Sequence, residues 1–229
     1  MRRNVELLLI CVLFALPSCA DEPALNLTQQ ERDDGWIELF DGRTLAGWQA
    51  GSKADWRVVD GAITATSGES GLLCSERLFG NFELRLEFRT THKTNSGVFL
   101  RTPLVPTDPA RDCYELNIAP PELSPFPTGS FVNRKKRSGE YQEKGDWQQY
   151  YIEARGGHFE VDLDGRKVLE YDDPTSLVAG RIGLQFRQGP IEFRRIAIRP
   201  AVAAFLPHLR RSSWEAPGHR PPVIRSTQL

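Results

Sequence analysis

The stretch Phe82 to Arg89, FELRLEFR, alternates without a break. In an extended chain, Glu83, Arg85, Glu87 and Arg89 then share one face and Phe82, Leu84, Leu86 and Phe88 the other. Two carboxyl groups on one face invite an acid–base reading. Geometry opposes it. Four steps of ~3.3 Å set Glu83 and Glu87 about 13 Å apart, whereas a pair that cleaves a glycosidic bond sits ~5–5.5 Å or ~6.5–9.5 Å apart. Arg85 between them would also hold both carboxylates ionised and spoil a general acid. The same alternation selects outward residues from other segments: Arg101 from SGVFLR, Glu115 and Asn117 from YELNI, and Arg181, Gly183 and Gln185 from RIGLQF.

The elements that must carry these residues are short and β-rich. Runs such as WIELF, WRVVDGAITAT, WQQYYIEAR and IEFRRIAIRP are each bounded by Gly, Asp, Asn or Pro. They give about ten strands and no helix longer than a few turns. Asp60-Gly61 and Asp164-Gly165 sit between alternating segments, the strongest short hairpin signal. Many short strands at regular spacing predict an all-β fold, a jelly-roll sandwich of two antiparallel sheets. A polar outer face of such a sandwich can form a groove wide enough for a sugar.

The chain has 229 residues, 40% hydrophobic and 26% charged, with a net charge of -1. That suits one globular core and shows no electrostatic sign of nucleic-acid binding. The short basic run Arg134 to Arg137 has Gly, Ser and Glu neighbours and reads as a solvated loop. Residues 1–19 pair a basic start with a short apolar run, the pattern of a secretory signal. The run ends in LPSC, which resembles a bacterial lipobox. That resemblance implies lipidation of Cys19 and a lipid anchor at the cell envelope, in the periplasm or at the outer surface. Residues 20–34 are expected to be a tether, 35–200 the folded domain and 201–229 a tail.

Cys74 and Cys113 remain in the exported part, and the sequence leaves their pairing open. His92, His158, His208 and His219 are scattered, so no transition-metal site is expected; calcium stays open. The sequence does not fix the oligomeric state. Tryptophans could stack on sugars, and Trp147, beside the loop 133–146, is the first candidate.

Nine ordered blocks carry a family resemblance. They include WIELFDGRTLAGW, FGNFELRLEFR, NSGVFLR, YELNI, GDWQQYYIEARG, DLDGRKV and GRIGLQFRQGPIEFRRIAIRP. Together they resemble the 3-keto-disaccharide hydrolase family, which has the concanavalin-A-like lectin/glucanase fold. The resemblance implies an extracytoplasmic enzyme that cleaves 3-keto-glycosides by elimination or hydrolysis. The competing expectation is a noncatalytic carbohydrate-binding module using the same groove without a base. Three blocks depart from the family pattern: Asn117 replaces Gln, IAPPELSPFPTG lacks the usual acidic and His residues, and GLQFRQG replaces GLQDHG.

A 3-keto-glycoside needs only one base and one electrophilic clamp, because the ketone acidifies the C2 proton. The expected roles are Glu115 as base and Arg101 as the enolate-stabilising cation. Glu87, Asn95, Asn117, Gln185 and Trp147 are expected as substrate contacts.

Overall fold

The computed structural model describes residues 27–140 and 144–201. The apolar leader, Cys19 and the tail from residue 202 lie outside the described residues. Two short helices, α1 (Gln29–Asp33) and α2 (Pro109–Asp112), accompany thirteen strands. These are β1 (Ile37–Glu38), β2 (Trp48–Ala50), β3 (Arg57–Val59), β4 (Ala62–Ala65), β5 (Gly71–Ser75), β6 (Phe82–Thr90) and β7 (Ser96–Thr102), followed by β8 (Tyr114–Ile118), β9 (Gln148–Arg155), β10 (His158–Leu163), β11 (Arg166–Asp172), β12 (Arg181–Phe186) and β13 (Ile191–Pro200). Asp60-Gly61 and Asp164-Gly165 close the β3–β4 and β10–β11 hairpins with both residues at positive φ, the primed-turn geometry that suits strand twist.

The strands form two antiparallel sheets. The eight-stranded sheet runs β11-β10-β9-β6-β13-β4-β3, with β1 also on β13; the five-stranded sheet runs β2-β5-β12-β7-β8. Alternation decides what lies between them. Phe82, Leu84, Leu86 and Phe88 of β6, with Tyr150 and Ile152 of β9, face Val98 and Leu100 of β7, Tyr114 and Leu116 of β8 and Leu184 of β12 in one buried core. At ~1.5–3 kcal/mol for each fully buried large apolar side chain, this interlayer is the main source of stability. It also fixes the register, because a one-residue slip would turn every apolar side chain outward.

The folded part starts earlier than the expected boundary at Gly35. Leu27 is buried, and Thr28 and Glu31 form a capping box that starts α1. Glu31 then meets Arg85 of β6 at 2.6 Å. The helix is polar all round, so apolar periodicity could not reveal it, although the Thr-x-x-Glu spacing is a start signal.

Candidate active site

The five-stranded sheet sets one row of residues side by side across its outer face: Cys74 of β5, Gly183 of β12, Phe99 of β7 and Glu115 of β8. In the adjacent outward row Leu72 pairs with Gln185, and Gly97 with Asn117. Two of these positions leave little room for any side chain beyond glycine's hydrogen. A Cβ on Gly97 would stand 3.4 Å from Glu115 Cγ and 3.1 Å from the Leu116 carbonyl oxygen. One on Gly183 would stand 3.1 Å from the Phe99 Cβ. With no side chain on Gly97, the Glu115 side chain packs against the β7 backbone there, and Gln185 on β12 and Arg187 beyond it both act on its carboxyl.

Glu115 is only 9% exposed. Burial pushes its carboxyl up to about 7, against the opposing pull of the Arg187 charge and the neighbouring Gln185 amide. Arg187 is exposed and lies two residues beyond Gln185, on the same side of the chain. Gln185 is 8% exposed, and no described group bonds its Oε1. A buried acceptor without a partner is costly, and here it adjoins the raised carboxyl. The Asn117 amide nitrogen donates to the Phe126 carbonyl, tying the 119–130 loop to the sheet. Asn95 joins Gln188 through a reciprocal pair of backbone hydrogen bonds of 2.7 and 3.0 Å, so the β6–β7 and β12–β13 turns meet beside Arg187. Glu115, Gln185 and Asn117, which their alternation groups, therefore share one region with the turn residue Asn95.

Next to Gln185, a cleft of about 290 Å³ opens over Leu72 and Phe99, between residues 51–52 and 69–71 on one side and 104–109 on the other. Beneath it Leu72, Phe99, Cys74 and Cys113 form a small second core under Leu104. Cys74 and Cys113 are free thiols, and burial raises each to about 12. Cys74 lies on β5 and Cys113 just before β8, three strand spacings of ~4.8 Å away, beyond the ~6.8 Å reach of a disulfide.

Three expected site residues lie elsewhere. Arg101 is the extra residue of a bulge between β7 and β12, with φ at +52°. The bulge turns its side chain inward, and Thr102 takes the outward place against Gly183. The Arg101 guanidinium, in a residue 2% exposed, donates to the carbonyls of Gly80, Gly156 and Leu177 at 2.9, 2.6 and 2.6 Å. It also lies over the Phe159 ring. It is a structural tie and cannot serve as a cation for Glu115.

Glu87 projects from the outer face of the eight-stranded sheet, on the opposite side of the sandwich, where Arg194 and Arg195 hold it at 2.7 and 3.0 Å. Trp147 lies on that same face, under the guanidinium groups of Arg194 and Arg89. The charged face of FELRLEFR thus looks at arginines, Trp36 and Tyr151. Arg187 is the residue that the sequence reading passed over. Its signal was present, since it continues the Gly183, Gln185 alternation.

Among the described residues, one His/carboxylate group has metal-like spacing. The donor atoms of His158, Glu160 and Glu170 lie within 4.8 Å of one another. Lys167 already bonds Glu160 at 2.6 Å and approaches Glu170 at 3.6 Å, and His158 bonds Asp172 at 2.8 Å. Lys167 and His158 already pair with these carboxylates, and the group belongs to the sheet opposite Glu115.

The antiparallel two-sheet sandwich is a fold this chain shares with several solved structures. A candidate glycosyl hydrolase from Parabacteroides distasonis superposes with a TM-score of 0.68 at 18% identity, covering 77% of this chain and 98% of that one. A second from the same organism gives 0.59 at 27% identity, covering 72% and 99%. The carbohydrate-binding module CBM66 of Bacillus subtilis gives 0.52 at 14% identity, covering 67% and 95%. Residues 35–199 match the 3-keto-alpha-glucoside-1,2-lyase-like domain, and the chain belongs to that family. A 3-keto-disaccharide hydrolase of Bacteroides thetaiotaomicron is 36% identical over 78 residues, a match spanning 29% of this chain and 27% of that protein.

Proposed function

We propose that the protein cleaves glycosides carrying a ketone at sugar C3, with Glu115 as the base. The observation that carries this reading is the Glu115–Gln185 pair, a buried carboxyl and a buried amide beside Arg187 on the face of a sheet. A carboxyl raised to about 7 is a better base than an ordinary carboxylate and is still largely ionised in mildly alkaline solution. Glu115 removes the C2 proton. The electron pair moves to the C3 oxygen, where the Arg187 charge stabilises the enolate. When the enolate collapses, C1=C2 forms and the C1 substituent leaves with its electron pair. Water then adds across the new double bond. Gln185 Oε1 is positioned to accept from a sugar hydroxyl, which would satisfy the atom that now has no partner.

The LPSC block supports placing this activity at the cell envelope, on a lipid attached to Cys19. The deciding experiment incubates the protein with a 3-keto-glucoside and follows loss of the ketone absorbance in alkali. Turnover is expected for the wild type and not for Glu115→Gln. Full turnover by Glu115→Gln would overturn the assignment, and binding of the sugar without turnover by the wild type would make the protein a binding module.

A further inference from the structure

The cleft beside Gln185 has unequal walls. Its floor is Leu72 and Phe99, and its 104–109 lip presents Leu104, Val105, Pro106 and Pro109, whose prolines bring no N–H donor. Val105 is 60% exposed, one of the few large apolar side chains on the described surface to be so open. The facing lip supplies Ser52, Glu69 and Ser70, but the Ser52 hydroxyl is already used on the Glu69 carbonyl at 3.2 Å. The lips meet at one end, where a Cβ on Gly51 would stand 2.6 Å from the Leu104 carbonyl oxygen and 3.4 Å from a Val105 methyl. The cleft is therefore a slot closed at that end, and Gln185 is shared with the Glu115 cluster.

One wall of the slot offers no polar side chain to the hydroxyls of a second sugar, which leaves only the facing lip to bind them. A flat apolar ring with a polar edge matches the slot: faces against Leu72, Phe99 and the prolines, edge toward Ser70 and Glu69. The chemistry agrees. Glu115 is the buried carboxyl of the site and is occupied with the C2 proton, while Glu69 is exposed. A leaving group that departs without prior protonation is then favoured. A phenol ionises near pH 10, as the tyrosine side chain does, well below a sugar hydroxyl.

Resting on the proposed 3-keto-glycoside activity, we infer that the cleft is a leaving-group site for an aryl aglycone. The C1–O bond breaks with its pair going to the phenolic oxygen, which then takes a proton from the protonated Glu115 or from water. No oxidant or reductant is consumed.

The test compares the 3-keto forms of phenyl glucoside, methyl glucoside and a glucose disaccharide. The wild type is expected to favour the phenyl substrate over the disaccharide in kcat/KM by at least tenfold. Intrinsic leaving-group reactivity could produce that order alone, so the decisive reading is Val105→Asp. It should lower the phenyl-to-methyl ratio of kcat/KM about tenfold, and Val105→Leu should restore it. A ratio unmoved by Val105→Asp, or a disaccharide turned over as well as the phenyl substrate, overturns the aryl site while leaving the activity intact. Turnover of none of the three removes the activity itself, and the aryl site with it.

Discussion

The two outer faces of this sandwich teach opposite lessons about charge. On the eight-stranded sheet Glu83, Arg85, Glu87 and Arg89 each meet an opposite charge: Arg199, Glu31, Arg194 and Glu192 respectively. That face is crowded with charge and leaves little unspent for a ligand. On the five-stranded sheet the polar residues are few, yet Glu115 is buried with a raised carboxyl and Gln185 keeps a buried oxygen without a partner. Density of charge marks a solvated sheet surface; a raised buried carboxyl beside an unpartnered amide oxygen marks the candidate site.

The contrast can be broken most directly by activity. Glu115→Gln is expected to reduce kcat/KM on a 3-keto-glucoside by about a thousandfold or more, the loss of a general base together with its charge. Glu87→Gln, on the crowded face, should change it less than twofold. Equal losses in the two variants would show that the faces had been assigned the wrong way round.

Arg101→Met should act on stability instead. Removing the buried guanidinium leaves the Gly156 and Leu177 carbonyls without their arginine donor, and chemical denaturation should show a loss of about 1–3 kcal/mol. Arg187→Met should leave the denaturation midpoint nearly unchanged and lower kcat. Those two opposite profiles would separate the cation that builds the fold from the one that faces the carboxyl.

The next effect depends on pH. Glu115 has an ordinary value of 4.5, and burial raises it to about 7 in the fold. The folded protein therefore holds this proton more tightly than the unfolded chain. The associated stability is fully present below pH 4.5 and is lost as the pH climbs through about 7. Glu115→Gln removes the cost of ionising a buried carboxyl. Denaturation at pH 8.5 should find the variant more stable than the wild type by about 2–3 kcal/mol, with little difference near pH 4.5. In the same window wild-type kcat/KM should rise and level off above pH 7, as the base ionises.

The smallest effect should come from Glu87→Ala. Its two arginines are partly exposed, so the stability loss measured by denaturation should stay near or below about 1 kcal/mol and shrink in salt. A loss of several kcal/mol would mean that the crowded face is not merely solvated.

Alternation made much of this legible. It sorted β6, β8 and β12 into core and outward residues correctly, and it grouped Glu115, Asn117 and Gln185. It could not tell one outward direction from another, because Glu87 and Glu115 point outward from different sheets. Which sheet a strand joins depends on long-range pairing, and no local period encodes that. Arg101 failed for a different reason. An arginine at positive φ carries no sequence sign of a bulge, and one extra residue reverses the parity downstream. Leu27 to Asp34 was missed because a five-residue helix with no buried member shows no apolar stripe. The slot beside Gln185 was invisible because its lips come from three separate connections.

Arg101 has one more implication, for the order in which the molecule comes apart. Its bonds to Gly80, Gly156 and Leu177 span 21, 55 and 76 residues of chain. They can close only after β6, the β9–β10 turn and the loop before β12 have all been brought to β7. Contacts that close so late add little to the speed of folding and act mainly on the barrier to unfolding. The residue that looked like a reagent in the sequence is thus a lock on the lifetime of the folded state, a quantity distinct from its equilibrium stability.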